Sequence, residues 1–178
     1  MTSGAETIVA LAAQVGEALA HRGFLLTTAE SCTGGWIAEA ITSIAGGSAW
    51  FDRGFVTYSN LSKQEMLGVS GATLETHGAV SEAVAREMVV GALSHSSIAH
   101  VGLAVSGIAG PGGGAPDKPV GMVCFAWAVG NPENEQPIRL ASVTKHFSGD
   151  RRSIRQQAVI AGLRGVVEII EGEGFTGW

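Results

Sequence analysis

The stretch LTTAESCTGGW, Leu26–Trp36, determines the fold that we predict for this chain. Apolar residues precede it, and the apolar positions of the following WIAEAI recur at helical spacing. This pattern predicts a strand over 23–30, a glycine turn and a helix over 34–45. Paired glycines let a chain turn sharply. They do not explain why an acid, a serine, a cysteine and a threonine stand directly before them.

Helices and strands alternate around this stretch. Further helices are predicted over 5–21, 59–68 and 80–97, with a last helix beginning near Asp150. Further strands are predicted over 50–60, 100–110, 121–130 and 138–147, with a turn at 131–137. Early alternation followed by two adjacent strands is typical of an α/β fold: three layers, with a mixed β-sheet flanked by helices. We predict one such domain over 1–178, with its core at about 5–171.

The composition of the chain argues against several classes of protein. The chain has 178 residues, of which 46% are hydrophobic and 15% charged, and this balance argues against extensive disorder. The net charge of −5 argues against a general nucleic-acid binder. No segment has the length of a membrane span or the pattern of a signal peptide. Cys32 and Cys124 form neither a disulfide framework nor a metal-binding spacing. We therefore predict a cytoplasmic protein with no metal, no cofactor and no membrane partner.

The turn after the first predicted strand is the first candidate site. Ligands of open α/β folds bind at the carboxyl ends of strands, where this turn would lie. The N–H groups from Cys32 to Gly35, with Thr33 and Gly34 between them, could hold a phosphate or stabilise an oxyanion. Ser31 lies within reach of both roles. The alternative is that Ser31 or Thr33 only caps the helix.

The segment YSNLSK supplies a candidate base for a serine nucleophile. The histidines are scattered and form no Ser-His-Asp pattern. Lys63 could replace histidine if burial or a nearby cation lowered its pKa. Tyr58 could relay the proton or orient the amine. The alternative is an ordinary surface lysine.

Two further segments could bind an anion. Ser106, Gly107 and Gly110 belong to SGIAGPGGG, where a strand runs into a glycine-rich loop. This loop could form a second wall of a ligand site or a plain flexible connection. Arg151 and Arg155 lie one turn apart at the start of the last helix, where the helix dipole disfavours cations. A bound anion would relieve that repulsion, and so would pairing with nearby residues.

Taken together, these segments resemble the C-terminal domain family of the competence/damage-inducible protein CinA. The resemblance rests on five blocks in order: TTAESCTGGWIAEAIT, VTYSNLSKQEMLGV, HGAVSEAVAREM, SGIAGPGGGAPDKPVGMV and HFSGDRRSIRQQA. Ser106 stands where the family usually has threonine, so the hydroxyl is retained. Stand-alone members of the family are nicotinamide-nucleotide amidases.

The resemblance implies hydrolysis of the carboxamide of nicotinamide mononucleotide, in pyridine-nucleotide salvage. It implies that Ser31 is the nucleophile and Lys63 the base, with Tyr58 a further site residue. It also implies a homodimer. Three rival hypotheses remain: a mononucleotide-binding module without chemistry, an enzyme with Cys32 as nucleophile, and an interaction protein in competence or the response to DNA damage.

Overall fold

The computed structural model describes residues 4–130 and 138–172. Its helices are α1 (Gly4–Arg22), α2 (Trp36–Thr42), α3 (Asn60–Leu67), α4 (Gly71–His77), α5 (Glu82–Ser94) and α6 (Arg151–Glu171). Its strands are β1 (Leu26–Glu30), β2 (Phe51–Val56), β3 (Val101–Gly107), β4 (Met122–Val129) and β5 (Arg139–His146). The turn predicted at 131–137 lies outside the described residues.

The five strands form a mixed sheet in the order β2-β1-β3-β4-β5. Strand β1 runs parallel to both β2 and β3, whereas β4 and β5 continue the sheet in antiparallel pairs. The carboxyl ends of β1, β2 and β3 therefore meet at one edge, with Glu30 in register with Val56 and Val105. The predicted α/β fold with a mixed, helix-flanked sheet is confirmed.

Helices cover both faces of the sheet and create two apolar cores. The first core packs α1, α2 and α6 against large side chains of the sheet, such as Leu103 and Trp127. The Trp127 indole donates a hydrogen bond to the Gly162 carbonyl (3.0 Å), so α6 lies close to the strand. A side chain at Gly165 would begin 2.2 Å from that indole. Truncation of a buried tryptophan typically costs about 3–5 kcal/mol of folding free energy.

The second core packs α5, with α3 and α4, on the opposite face, where the sheet presents small residues such as Ala104 and Ala126. Helix α5 approaches α3 so closely that a Cβ at Gly91 would lie 1.9 Å from the Leu67 carbonyl oxygen. This contact fixes α3, the helix that carries Lys63, against the body of the domain.

Side-chain caps fix the starts of three helices. Ser59 Oγ accepts from Ser62 N at α3, Ser81 Oγ from Val84 N at α5, and Asp150 Oδ1 from Ser153 N at α6. Such caps typically contribute about 1 kcal/mol each. Helix α4 was not predicted, because it begins at a glycine and buries only Leu74. No helix within 4–130 and 138–172 is long and apolar enough to cross a membrane.

Candidate active site

The parallel strands bring three segments together at the carboxyl edge of the sheet. Ser31 directly follows β1, and its N–H donates to the Val105 carbonyl of β3 (3.0 Å). Thr57 directly follows β2, and its N–H donates to the Glu30 carbonyl (2.8 Å). These backbone bonds place the serine turn between its two neighbouring strands, which is where ligands bind in folds of this class.

Lys63 reaches this edge from the first turn of α3. Its Nζ lies 3.0 Å from Ser31 Oγ and donates a 2.7 Å hydrogen bond to the Thr57 carbonyl. Ser31 is 8% exposed and Lys63 only 1%. The alternative of an ordinary surface lysine is therefore wrong.

Burial lowers the pKa of Lys63 below its ordinary value of 10.5. The cause is desolvation, because an ammonium ion loses its hydration shell in this environment and an uncharged amine loses much less. A thiolate at Cys32 would oppose the shift, but burial also raises the pKa of Cys32 to about 12. The thiol is therefore uncharged at neutral pH, and the hypothesis of Cys32 as a reactive thiolate lacks its physical basis.

Glu30 binds the start of α2 and changes the predicted roles of the glycines. Its Oε2 accepts from Thr33 Oγ1 (2.7 Å), Gly35 N (3.0 Å) and Ile37 N (3.1 Å), and its Oε1 accepts from Ala38 N (2.8 Å). The helix begins at Trp36 rather than at Gly34. The N–H groups at its start already donate hydrogen bonds to the Glu30 carboxylate, which also compensates the positive end of the helix dipole.

Two of the four predicted oxyanion donors are therefore occupied. Gly35 N–H is bound by Glu30, and Gly34 N–H donates to the Ser31 carbonyl (3.0 Å). Both glycines have positive φ, 62° and 94°, which explains why glycine is used in this turn. The N–H groups of Cys32 and Thr33 have no acceptor in any other described residue. The expected donor set of Cys32 to Gly35 thus loses Gly34 and Gly35, and Thr33 is fully enclosed, so the Cys32 N–H is the donor that stays predicted.

A cavity of about 200 Å³ opens beside the serine. It is lined by Ser31, Cys32, Tyr58, Asn60, Lys63, Ala79, Val80, Ser106, Gly107, Ala109 and Arg151. This lining contains two basic side chains, Lys63 and Arg151, and no carboxylate. A larger cavity of about 600 Å³ lies between α1 and α6, away from these groups. The cavity at the serine is suited to an anionic ligand with a group that a serine can attack.

Arg151 lies at the mouth of this cavity. Its Nη1 donates to the Gly110 carbonyl (2.6 Å), and its Nη2 donates to the Tyr58 hydroxyl (2.8 Å). Tyr58 is 63% exposed. The structure gives it no hydrogen bond to Lys63, so the predicted role of orienting the amine is replaced by contact with Arg151. These two residues connect α6, the glycine loop and the segment before α3.

Arg155 does not line the cavity. Its Nε donates to the Cys32 carbonyl (3.0 Å) and its Nη2 to the Thr33 carbonyl (2.9 Å). Its guanidinium carbon lies 5.4 Å from the centre of the Trp36 ring. Of the two alternatives for the paired arginines, local pairing describes Arg155, whereas Arg151 remains at the ligand cavity.

Ser106 is buried in the wall of the cavity. Its hydroxyl donates to the Ala79 carbonyl (2.8 Å). Lys118 joins the same wall, because its Nζ donates to the carbonyls of His77 and Val80. The end of β3, which carries Gly107, and the following loop, which carries Gly110, are therefore bound to the segment before α5.

Sequence reasoning missed the cavity-lining residues Asn60, Ala79, Val80 and Ala109, and it also missed Glu30, Thr57 and Lys118, which support the site. Glu30 carried a signal, because the helix dipole favours an acidic side chain near the start of a helix. Thr57 acts through its carbonyl, which no side-chain pattern reveals. Ala79 and Lys118 depend on contacts distant in the chain. No group of three metal-binding side chains occurs within the described ranges.

Comparison with known proteins shows which family this chain resembles. A sequence model of the CinA C-terminal domain matches residues 8–170. The chain belongs to the CinA C-terminal domain family. The resemblance stated from the sequence is therefore confirmed.

Two relatives of this CinA-family chain are nicotinamide-nucleotide amidohydrolases named PncC. The protein of Enterobacter agglomerans is 53% identical over 154 residues, covering 86% of this chain and 90% of its own length. The protein of Escherichia coli K12 is 52% identical over 159 residues, covering 88% and 91%. Among solved structures, the competence damage-inducible protein A of Klebsiella pneumoniae superposes with a TM-score of 0.86 at 38% identity, covering 94% of this chain and 99% of that one.

Proposed function

We propose that this protein is an amidohydrolase that converts nicotinamide mononucleotide into nicotinate mononucleotide and ammonia, with Ser31 as nucleophile and Lys63 as base. The observation that supports the proposal most is the 3.0 Å approach of Lys63 Nζ to Ser31 Oγ in a buried site. It occurs in a chain about half identical to proteins named for this activity. A binding module without chemistry has no need of a desolvated amine beside a serine.

The first half-reaction transfers the acyl group to the enzyme. The uncharged Lys63 amine accepts the hydroxyl proton while Ser31 Oγ forms a bond to the amide carbon. The amide oxygen becomes an oxyanion, for which the N–H group of the cavity-lining Cys32 is the available donor. The carbon–nitrogen bond then breaks as Lys63 returns the proton to the leaving nitrogen, and ammonia departs.

The second half-reaction regenerates the serine. A water molecule attacks the ester carbon while Lys63 accepts one of its protons. The carbon–oxygen bond to Ser31 breaks, and Lys63 gives the proton back to Oγ. The product leaves as nicotinate mononucleotide. The Thr57 carbonyl holds the amine in place throughout, because it accepts an N–H in both protonation states.

Arg151 is the side chain that we assign to the substrate phosphate. It is the guanidinium at the cavity, and its fork matches phosphate oxygens. Tyr58 steers Arg151 through the bond between its hydroxyl and Nη2. Ser106 and Gly107 form the facing wall, whereas Gly110 lies outside the cavity lining and supports Arg151 through its carbonyl.

We place this reaction in the cytoplasm, in pyridine-nucleotide salvage, and we propose that the chain acts as one catalytic domain. A homodimer stays a prediction, which light scattering of the purified protein tests.

Ammonia release from nicotinamide mononucleotide tests the proposal. We expect turnover by the wild-type protein and a loss of about 10⁴-fold or more in Ser31→Ala, because the nucleophile is removed. Ser43→Ala is the matched control, since Ser43 lies at the end of α2 and its hydroxyl donates to the Ala40 carbonyl away from the cavity. Equal rates in wild type and Ser31→Ala would refute the proposal.

A further inference from the structure

Arg155 binds the turn that carries the nucleophile, although it lies more than 120 residues later in the chain. The two hydrogen bonds from its guanidinium end on consecutive carbonyls, those of Cys32 and Thr33. The ring of Trp36 packs beside the guanidinium at 5.4 Å, which restricts its rotation. A planar fork held at three points is a rigid clamp, which a lysine cannot reproduce.

These carbonyl contacts determine where the neighbouring N–H groups point. In a planar trans peptide, the C=O and the following N–H point in opposite directions. Because the Cys32 carbonyl points to Arg155, the Thr33 N–H points away from it. In the same way the Ser31 carbonyl accepts from Gly34 N–H, so the Cys32 N–H points away from Gly34.

Both residues are buried, and their N–H groups have no acceptor in any other described residue; the Cys32 N–H contacts its own thiol. Cys32 is 5% exposed and Thr33 is not exposed at all. Because Thr33 is fully enclosed, only the Cys32 N–H can meet an atom of a bound substrate. Cys32 also lines the cavity in which Ser31 lies.

We propose that Arg155 is a positioning residue of the reaction: by binding the Cys32 and Thr33 carbonyls, it fixes the turn in which the Cys32 N–H receives the developing oxyanion. This inference rests on the proposed function. Arg155 itself touches neither the cavity nor the serine hydroxyl. Its role therefore differs from that of Arg151, because it stabilises the transition state through the backbone and leaves ground-state binding unaffected.

A fluorophosphonate probe tests the role of Arg155 without requiring the natural substrate. Ser31 Oγ forms a bond to phosphorus, fluoride leaves, the proton passes to Lys63, and the phosphoryl oxygen occupies the oxyanion position. We expect Arg155→Met to label at Ser31 about 100-fold more slowly than wild type, the loss typical of oxyanion donors. Arg155→Lys should fall between the two, since it keeps the charge but not the fork.

Turnover of nicotinamide mononucleotide gives a second readout. In Arg155→Met, kcat should fall by about the same factor while KM changes less than about threefold. Arg152→Met is the matched control: Arg152 is an exposed neighbour on the same helix, and both rates should equal those of wild type. Melting temperatures show whether each variant is folded.

The outcomes separate the two proposals. A wild-type protein that labels at Ser31 but releases no ammonia refutes the substrate, and the labelling rates still decide the role of Arg155. Wild-type labelling rates in a folded Arg155→Met overturn the positioning role, as does a wild-type protein that is not labelled at Ser31. If Arg155→Met does not fold, a wild-type labelling rate in Arg155→Lys overturns it.

Discussion

The cavity has a floor, formed by Ser31 and Lys63, and a rim, formed by Tyr58 and Arg151, and the two differ most in their contact with solvent. The floor residues are 8% and 1% exposed, whereas Tyr58 at the rim is 63% exposed. Desolvation shifts the pKa of the lysine at the floor. The rim keeps a solvated guanidinium. The difference assigns chemistry to the floor, where an uncharged amine is favoured, and substrate binding to the rim.

Removal of the amine at the floor should have the largest effect. Lys63→Met keeps the length and the apolar stem but removes the base, so kcat should fall by about 10³-fold or more. The rim is untouched, and the dissociation constant for nicotinate mononucleotide should change less than about threefold. Calorimetry and ammonia assays measure the two quantities. Loss of product binding with retained turnover would reverse the assignment of floor and rim.

Removal of the guanidinium at the rim should give the opposite pattern. Arg151→Met should raise KM by about 10- to 100-fold, the value of a charge-assisted hydrogen bond to phosphate, and leave kcat nearly unchanged. Arg152→Met again serves as the matched control, because it removes a neighbouring cation from the same helix. A loss confined to kcat would show that Arg151 acts on the reacting atoms instead.

The pH dependence of kcat/KM should depend on the protonation of Lys63 at the floor and not on the residues of the rim. Only the uncharged amine accepts a proton, so kcat/KM should rise about tenfold per pH unit up to the pKa of Lys63 and then level off below pH 10.5. Arg151→Met should lower kcat/KM at every pH but leave the midpoint of the pH profile nearly unchanged. A rise in kcat/KM that is centred at pH 10.5 or above in initial-rate assays would contradict a lysine base whose pKa is lowered by burial.

The pH dependence of folding stability should also depend on the protonation of Lys63. Because the pKa of Lys63 is lowered on folding, the unfolded state binds more protons between that pKa and 10.5. The free energy of unfolding of wild type, relative to Lys63→Met, should therefore rise with pH across this window. Below the folded pKa the full cost of burying the ammonium ion persists. Urea denaturation at a series of pH values measures this difference.

Cys32 should contribute least. Burial raises the pKa of its thiol to about 12, so it is not a competing nucleophile at neutral pH. Cys32→Ala keeps the backbone N–H and should retain turnover within about threefold, with a stability loss of about 1 kcal/mol. A loss as large as that of Ser31→Ala would restore the thiol as a nucleophile.

The sequence predicted the elements around the site because their signals are local. Hydrophobic periodicity and caps such as Ser59, Ser81 and Asp150 mark where helices begin. Helix α4 was not predicted, because a helix of seven residues with one buried side chain has little hydrophobic periodicity. Parallel pairing of the early strands followed from their alternation with helices.

The site itself could be predicted only in part. Family resemblance suggested Ser31 and Lys63, but the burial of Lys63 depends on Thr57 and on the packing of α3, which no spacing encodes. The reassignment of Arg155 rests on bonds to residues more than 120 positions away. Glu30 occupies the start of α2 that the glycines had indicated as a ligand site. Long-range polar contacts of this kind become visible only in three dimensions.

Titration of Lys63 by nuclear magnetic resonance tests the central claim most directly. The chain contains three lysines, Lys63, Lys118 and Lys145, so spectra of wild type and Lys63→Met identify the side-chain signal. We predict that Lys63 loses its proton at a pH clearly below 10.5, at the midpoint of the kcat/KM profile. A signal that titrates at 10.5 or above would contradict an uncharged amine beside Ser31.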